Sequence, residues 1–526
     1  MDNRSLEGLL QEALETPVEE ILEEAPSNRE SDDSGLDIAI IGVDASIGLA
    51  DSPEEFWDAV WGGTDFIRDF PRERVEDAQD LHRGMFGGPM AEPVPYAYLD
   101  RVDLFDAQRH GISGAEALWM EPHQRLFLDT ATRALENAGY GGDALRGTNT
   151  GVYAASGLAQ GLYQAGHVPK DAPEAGLMMS GGLESIVASR ISHELDLRGP
   201  AMMVHTACSS ALAAMAIAVD ALRSSKVQMA LVGAVRLTLV PPLSDVHSFG
   251  IEAPTHRTRA FSSDAEGTGG GEGCIVMLLK PLDKALADGD HIHGVIKGIA
   301  TNQDGSTTGI TAPSAHAQAR VIRDAWNDAG IDPLSVSYIE AHGTATELGD
   351  PVEIDGLTQA FAQHTDRRQF LPIGAVKSNI GHLDAAAGLA GVLKVLGMFE
   401  RESIPPSLHF TAPNPKIAFI DSPFTVVDRL QPWESEGPRR AGVSSFGLSG
   451  TNVHVILEEP PAPTPRQDDA TVHVVPVSAR TPAGLRETAA ALGDDLRRHG
   501  DQSVGDIAFT LATGRTHGRQ RACIVA

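Results

Sequence analysis

One cysteine of this sequence stands where the chain is predicted to change from strand to helix. The segment Met203 to Ser210 leaves an apolar run, and the small-residue run Ala211 to Leu222 predicts a helix. Free backbone N–H groups and the helix dipole at such a turn lower the pKa of a thiol and favour the thiolate. The sequence therefore predicts a nucleophile at Cys208, whereas Cys274 and Cys523 lie in predicted strands and are expected to be structural.

Two histidines occupy similar positions farther along the chain. His342 follows the predicted strand Val336 to Ile339, and His382 follows the predicted strand Pro372 to Val376. Each adjoins a glycine, and loops after strands are where α/β proteins build their sites. A zinc site formed with Cys208 is disfavoured, because the three residues lie far apart and no second cysteine flanks Cys208. No metal is expected.

The segment Gly267 to Gly273 invites comparison with a phosphate-binding loop. No Lys-Ser/Thr pair follows it, and Glu272 stands where the G-x-G-x-x-G pattern requires glycine. We expect the glycines instead to let the backbone pack closely beside a site.

The elements that must position these residues are predicted by apolar runs that alternate with helical spacing, which is typical of an α/β fold. The first set of predicted strands is Ile38 to Gly42, Ala201 to Val204, Met229 to Val232 and Ile275 to Leu279. The second set is His293 to Gly298, Val336 to Ile339, Pro372 to Val376 and Val453 to Leu457. Because the sets are of comparable size, we expect two similar lobes.

The composition excludes several classes of protein. The chain has 526 residues with 41 Lys and Arg against 72 Asp and Glu, which gives a formal net charge of −31. Such a surface repels phosphate backbones and anionic lipid, so nucleic acid and membranes are not expected as partners. No apolar run approaches the roughly 20 residues that span a bilayer, and Met1 to Leu10 lacks a signal-peptide core, so a cytoplasmic location is expected.

Three regions are predicted along the chain. Residues 1–36 are acidic, and their leucines fall at helical spacing, which predicts either a solvated tail or an amphipathic docking helix. Residues 37–459 hold the α/β region. Residues 460–526 open with a proline linker and continue as a small α/β unit with a strand at Val472 to Val477 and a helix at Thr481 to Arg498.

Four motifs follow one another in a specific order. They are Thr206-Ala-Cys-Ser-Ser210, Glu340-Ala-His-Gly-Thr-Ala-Thr346, Lys377-Ser-Asn-Ile-Gly-His382 and Gly442-Val-Ser-Ser-Phe-Gly-Leu-Ser-Gly-Thr-Asn452. Together they resemble the ketosynthase (beta-ketoacyl synthase) domain of modular type I polyketide synthases over residues 37–459. The segment Met120-Glu-Pro-His-Gln-Arg125 resembles a further family motif with two substitutions. Residues after Pro465 resemble the linker subdomain that follows such ketosynthases.

The resemblance implies a thiolase-like fold of two related lobes in five layers, α-β-α-β-α, usually as a homodimer. It implies that Cys208 carries the acyl chain, that His342 and His382 act on the extender unit, and that Lys377 lies behind them in a hydrogen-bonded network. The other residues that it assigns are the supporting Glu353, Asp350 and Asn379, the phosphopantetheine-binding Thr344 and Thr346, and the backbone N–H groups of Cys208 and Leu448 as the oxyanion hole.

The implied reaction is decarboxylative Claisen condensation. An acyl carrier protein would deliver substrates on its phosphopantetheine, with no bound cofactor, and residues 1–24 would dock an upstream or downstream synthase subunit. The glycine segment and Gly289 to Leu357 look most like ketosynthases served by an acyltransferase in trans, and a stand-alone ketosynthase is the other form considered. One alternative function is a cyclase that closes a ring on Cys208 by aldol attack or lactonisation without decarboxylation. A second is an inactive scaffold.

One segment departs from the family's pattern. Pro241 to Arg259 lacks the usual small turn and adds the polar side chains of Glu252, His256 and Arg259. A reshaped pocket wall is one consequence, so the acyl substrate and the extender are left open.

Overall fold

The computed structural model describes residues 37–157, 175–243, 250–462, 472–498, 500 and 502–526. The predicted acidic helices of residues 1–36 lie outside this part of the chain, as do residues 244–249 of the departing segment and most of the proline linker. The domain boundaries at 36/37 and 459/460 stay predictions.

The strands recur along the whole described chain. They are β1 (Ile38–Ile47), β2 (Thr150–Ser156), β3 (Ala201–Met203), β4 (Met229–Arg236), β5 (Gly273–Pro281), β6 (Gly294–Gln303), β7 (Tyr338–Glu340), β8 (Leu371–Gly374), β9 (Ser403–Ile404), β10 (Phe424–Val426), β11 (Gln431–Pro432), β12 (Arg440–Phe446), β13 (Thr451–Glu458), β14 (Val474–Ala479) and β15 (Gln520–Val525).

The helices alternate with these strands, as the apolar runs predict. They are α1 (Pro53–Trp61), α2 (Val75–Phe86), α3 (Gly114–Trp119), α4 (Pro122–Asn137), α5 (Ala175–Gly182), α6 (Glu184–Glu194), α7 (Ser210–Arg223), α8 (Leu282–Asp288), α9 (Ala315–Ala329), α10 (Gly349–Phe361), α11 (Lys377–Ile380), α12 (Ala387–Arg401), α13 (Pro482–Arg498) and α14 (Val504–Thr513). None of the described helices is long and apolar enough to cross a membrane.

One strand order occurs twice in the large sheet. The first half runs β1-β5-β4-β2-β3 and the second runs β6-β13-β12-β7-β8, with β10 at the outer edge. In each half the strands at the β3 or β8 end pair in parallel, whereas the two pairings nearest the centre are antiparallel. The halves meet where Ile38 to Ile40 pairs with Gly294 to Ile296. The prediction of two similar lobes is confirmed.

Alternating side chains of the sheet divide the core into layers. In β1, Ile38 and Ile40 join the central cluster, which also holds α7 and α12, whereas Ala39 and Ile41 face the cluster of α4 and α6. Helices α9 and α10 cover the outer face of the second half. The order of layers is α-β-α-β-α. The two central helices approach closely, since a Cβ on Gly388 would lie 2.6 Å from Leu212.

The small unit near the end of the chain is built on the β14–β15 hairpin, in which Val474 to Ala479 pairs antiparallel with Gln520 to Val525. Helices α13 and α14 connect these two strands. The Arg480 guanidinium donates to the backbone carbonyl of Arg109 over 2.6 Å, so the unit is hydrogen-bonded to the α/β region.

Candidate active site

Cys208 lies in the tight turn between β3 and α7. The preceding Ala207 has φ +56°, a left-handed conformation that costs an L-residue about 1 kcal/mol or more. Hydrogen bonds to and from side-chain hydroxyls help to hold the turn. The Thr206 N–H donates to Ser210 Oγ over 2.9 Å, the Ser210 hydroxyl donates to the Ala207 carbonyl over 2.6 Å, and the Ser445 hydroxyl donates to the Cys208 carbonyl over 2.8 Å.

The protonation of Cys208 differs from the prediction. Burial raises the pKa of the thiol to about 11, and the charge of Asp384 acts in the same direction. The backbone N–H of Leu448, the charge of Lys377 and the backbone N–H of Cys208 itself lower this pKa without offsetting burial. The predicted lowered pKa is therefore wrong, because desolvation exceeds the effect of the helix start. The thiol is protonated at neutral pH.

The two backbone N–H groups assigned to the oxyanion hole lie beside the same sulfur. Both Leu448 and Cys208 direct a backbone N–H at the thiol. Leu448 belongs to the β12–β13 turn, in which the Gly450 N–H donates to the Gly447 carbonyl over 2.8 Å. A Cβ on Gly447 would lie 2.4 Å from the carbonyl oxygen of Thr206, so only glycine lets this turn approach the cysteine so closely.

His342 is positioned by a carboxylate under its backbone. Glu353 on α10 accepts the N–H of His342 over 2.7 Å with one oxygen and the N–H of Gly343 over 2.8 Å with the other. His342 is half-buried, and its Nδ1 atom is buried without a partner among the described residues. Phe446, the last residue of β12, lies against it with ring centroids 5.8 Å apart.

His382 is positioned by the glycine segment. Its N–H donates to the Gly269 carbonyl over 2.8 Å, and its carbonyl accepts the Gly271 N–H over 3.2 Å. A Cβ on Gly271 would lie 2.3 Å from the backbone oxygen of Ile380. The prediction that these glycines let the backbone pack closely is confirmed. The N–H of Asp384 donates to Nδ1 of His382 over 2.9 Å.

The two histidine rings meet edge to face, with centroids 5.6 Å apart and an interplanar angle of 85°. Burial lowers the pKa of both rings well below the ordinary value, and the nearby positive charge of Lys377 lowers both further. Both imidazoles are therefore neutral at physiological pH. A neutral imidazole donates from one nitrogen only, so each ring has one N–H to offer.

Lys377 is buried at the start of α11. Burial lowers the pKa of Lys377, and the carboxylates of Glu340 and Glu353 oppose that effect. The carboxylates predicted as its hydrogen-bond partners are used elsewhere: Glu353 holds the His342 loop, and Asp350 accepts the N–H groups of Phe261 over 2.6 Å and Ala345 over 2.9 Å. The charges of Glu353 and Asp350 both act on the pKa of Lys377, and the hydrogen-bonded network stays a prediction.

Asn379, Thr344 and Thr346 are the remaining predicted residues. The Asn379 amide donates to the Thr64 carbonyl over 3.1 Å, so it holds the loop after α1 rather than a histidine. The hydroxyls of Thr344 and Thr346 lie 3.2 Å apart. A cavity of about 370 Å³ beside Thr346 is lined also by Glu266, Asn414 and Lys416.

Sequence reasoning missed a buried ion pair behind the site. Lys394 on α12 contacts Glu340 over 2.7 Å, and the Tyr338 hydroxyl lies 2.8 Å from the lysine nitrogen and 2.7 Å from the carboxylate. The other Glu340 oxygen accepts the Val376 N–H over 2.6 Å, directly before Lys377. The sequence does contain an indication of this pair, because a lysine inside the otherwise apolar run of α12 needs a buried partner.

A second buried pair anchors the glycine segment. Glu272 accepts from both terminal nitrogens of Arg74, at 2.6 and 3.0 Å, and from the backbone N–H groups of Leu99 and Thr238, at 3.0 and 2.7 Å. A buried carboxylate with four donors is fully satisfied. Glu272 therefore fixes the backbone that supports His382.

Sequence models of one family match most of the chain. They are described as "Beta-ketoacyl synthase, N-terminal domain" for residues 36–285, "Beta-ketoacyl synthase, C-terminal domain" for residues 293–411 and "Ketoacyl-synthetase C-terminal extension" for residues 413–523.

Similar curated proteins are much longer than this chain. Erythronolide synthase EryA3 of Saccharopolyspora erythraea is 40% identical over 533 residues, an alignment that covers 100% of the chain and 16% of that protein. Polyketide synthase PksM of Bacillus subtilis (strain 168) is 38% identical over 506 residues, covering 93% of the chain and 11% of that protein. The chain thus spans less than a fifth of the length of these two relatives.

Similar solved structures have comparable size. The ketosynthase from module 6 of the bacillaene synthase from Bacillus subtilis 168 has a TM-score of 0.80 and 37% identity, covering 93% of this chain and 82% of that one. Ketosynthase twelve from the bacillaene polyketide synthase in Bacillus amyloliquefaciens has a TM-score of 0.83 and 35% identity, covering 94% and 84%.

Proposed function

The chain belongs to the beta-ketoacyl synthase family and has the thiolase-like fold of its ketosynthase relatives, and we propose that it extends a polyketide chain by decarboxylative Claisen condensation. One observation carries the proposal. Two neutral histidines meet edge to face beside Lys377, whose charge also reaches the Cys208 thiol. This arrangement combines an acyl acceptor with two hydrogen-bond donors, which are the two requirements of the reaction.

The first step loads the chain onto Cys208. The sulfur attacks the carbonyl carbon of a carrier-bound thioester, and the developing oxyanion accepts the backbone N–H groups of Cys208 and Leu448. The pantetheine thiol leaves with the proton that the cysteine gives up. Because the free thiol has a raised pKa, attack depends on the thiolate that these N–H groups and Lys377 stabilise as the sulfur is deprotonated.

The second step forms an enolate without a strong base. The carbon–carbon bond to the carboxylate of a malonyl-type extender breaks, CO₂ leaves, and the electron pair moves onto the thioester oxygen. Donors on His342 and His382 stabilise that negative charge, and a preorganised donor of this kind contributes about 3–4 kcal/mol. The enolate carbon then attacks the Cys208 thioester and expels the cysteine thiolate, which leaves a 3-oxoacyl chain on the carrier.

The partners belong to the same proposal. An acyl carrier protein would present its phosphopantetheine, with Thr344 and Thr346 as the arm's contacts and the adjoining cavity as its entrance. A homodimer is supported by β3, an edge strand of the sheet on which Ala201 and Met202 are exposed. A strand with free backbone groups and apolar side chains is suited to pairing with a second copy.

The test combines an acyl-pantetheine donor, a malonyl-loaded carrier protein and mass spectrometry. We expect one acyl adduct on the protein, none on Cys208→Ala, and an elongated product that requires malonyl-carrier and is accompanied by CO₂. An adduct that persists in Cys208→Ala would reject the assigned nucleophile. A product isomeric with the loaded chain and formed without malonyl would establish the cyclase instead, and no adduct with any donor would favour the scaffold.

A further inference from the structure

Arg236, the last residue of β4, has a buried hydrogen-bond donor that no described residue accepts. Its side chain is 17% exposed, and its Nε is buried without a partner in the part of the chain that the structure describes. One terminal nitrogen donates to the Tyr96 hydroxyl over a long 3.4 Å. A guanidinium has five N–H groups and stays charged, and leaving such donors unmet costs free energy.

The nearby carboxylates do not satisfy this guanidinium. Asp384 Oδ2 lies 4.0 Å from Arg236 Nη1, which is beyond hydrogen-bond distance. Glu272 is already held by Arg74 and two backbone N–H groups. His123 offers no charge, because burial and the charge of Arg236 lower its pKa to about 4. The charge of Asp384 thus attracts Arg236, but neither Asp384 nor Glu272 accepts a hydrogen bond from it.

The Arg236 side chain lies close to the candidate catalytic groups. Strands β2, β3 and β4 run parallel. The turn of Cys208, Gly157 and Arg236 therefore all lie at the carboxyl ends of these strands. A Cβ on Gly157 would lie 2.8 Å from the Cδ of Arg236. The charge of Asp384 reaches the Cys208 thiol, and the charge of Arg236 reaches the His382 ring.

Tyr96 closes the other side of this group. Its ring lies on Gly270, where a Cβ would be 1.9 Å from the ring, and Gly270 forms a β-bridge with His382. Tyr96, Arg236 and Asp384 therefore surround one end of the His382 loop. A fully reduced acyl chain that reached these polar groups would leave their hydrogen-bonding capacity unused, whereas a chain with an oxygen substituent could use it.

We propose that Arg236 and Asp384 bind an oxygen substituent of the acyl chain held on Cys208, so that the protein selects chains with a hydroxyl or carbonyl group over saturated ones. This inference rests on the proposed function. A substrate oxygen accepts from the free guanidinium N–H groups, and a hydroxyl can also donate to the Asp384 carboxylate. A hydrogen bond to a charged group changes a rate by about 10-fold to 100-fold.

The experiment measures acylation of Cys208 by pantetheine thioesters of hexanoate, 3-hydroxyhexanoate and 5-hydroxyhexanoate, with both enantiomers of each hydroxy acid. We expect the wild-type protein to react at least about 10-fold faster with one of the hydroxylated chains. In Arg236→Met that preference, measured as the rate with the hydroxylated chain divided by the rate with hexanoate, should fall to about 3-fold or less. The exposed Arg83→Met is the matched control and should keep the preference.

Each other outcome overturns the inference in a recognisable way. Equal rates for all three chains in the wild type reject selection by oxygen but leave acylation intact, whereas no acylation by any chain rejects the proposed function itself. If Arg236→Met slows all chains equally, Arg236 is a positioning residue that acts through Asp384. If that variant fails to fold by circular dichroism, Arg236→Gln, which keeps one amide donor, must show a reduced preference, and an unchanged preference rejects the proposal.

Discussion

The backbone N–H of Asp384 donates to Nδ1 of His382 over 2.9 Å. Because an accepting Nδ1 cannot carry the proton of a neutral ring, the proton lies on Nε2. Burial and the positive charges of Lys377 and Arg236 keep the ring neutral. The chain itself thus fixes His382 as a donor from Nε2, before any substrate is present.

Replacing His382 by alanine should separate the two half-reactions. Without its donor, the enolate oxygen loses one stabilising hydrogen bond, so decarboxylation of malonyl-carrier should fall by about 100-fold or more. Acylation of Cys208 should persist, because that step uses backbone N–H groups. Release of labelled CO₂ and intact-mass analysis measure the two steps. Decarboxylation at the wild-type rate would reject the assigned role.

Alkylation of Cys208 should become faster with pH across the neutral range. Because the pKa of the thiol is about 11, the thiolate fraction rises about tenfold per pH unit between pH 7 and pH 10. Asp384 raises this pKa, so Asp384→Asn should move the profile to lower pH. Iodoacetamide labelling followed by mass spectrometry gives the rate, with Cys208→Ala as the blank. A plateau already reached by pH 8 would contradict the raised pKa.

The acid limb of the condensation profile should respond to Lys377. Both histidines have pKa values well below 6.5, so activity should not fall through histidine protonation as pH decreases from 7 to about 6. Lys377→Met removes a positive charge that lowers both values, and the acid limb should therefore move toward neutral pH. Rates of malonyl-carrier decarboxylation at a series of pH values test this. An unmoved limb would show that the charge of Lys377 does not act on the rings.

Lys394→Met should destabilise the protein strongly. It leaves the Glu340 carboxylate buried without its cation, and breaking a buried pair in this way costs about 3–5 kcal/mol. The double variant Lys394→Met/Glu340→Gln should recover part of the loss. Denaturant unfolding measures the free energy. Arg368→Met, which breaks an exposed pair with Asp421, is the control and should change stability by less than about 1 kcal/mol. Equal effects of both single variants would contradict the prediction.

Gly270→Ala should disable the site through packing. The added Cβ would meet the Tyr96 ring at 1.9 Å, so Tyr96 or the glycine segment that bridges to His382 must move. We expect a lower melting temperature and a loss of condensation of at least tenfold. Gly309→Ala, where nothing lies within 4 Å of the new Cβ, should behave as wild type. Full activity in Gly270→Ala would show that the His382 loop tolerates displacement.

The parts of the site that sequence could predict are those set by local order. A residue in the loop that directly follows a strand lies at the end of that strand, and this position depends only on local sequence. Cys208, His342 and His382 could be predicted in this way. The pKa of Cys208 depends instead on how closely the β12–β13 turn and the His382 loop cover it, which are segments far away in sequence. The position of Cys208 at the start of a helix correctly predicts that backbone N–H groups lower the pKa of the thiol. It does not predict the larger effect of burial, which raises that pKa.

The partners of the buried charged side chains could not be predicted from the sequence for the same reason. The partner of Lys394 is Glu340, and the partner of Glu272 is Arg74, both remote along the chain. Hydrophobic periodicity predicts α12 as a buried helix but says nothing about a lysine inside it. The unmet donors of Arg236 can be seen only when every neighbour is in place.

The repeated strand order places different atoms at equivalent positions in the two halves. Cys208 lies between β3 and α7, and His382 lies between β8 and α12, which are the same point of the repeat. Arg236 ends β4 as Phe446 ends β12, and each lies near one of the two histidines. If the halves descend from one duplicated ancestor, a single ancestral position has diverged into the proposed nucleophile in one copy and the proposed hydrogen-bond donor in the other.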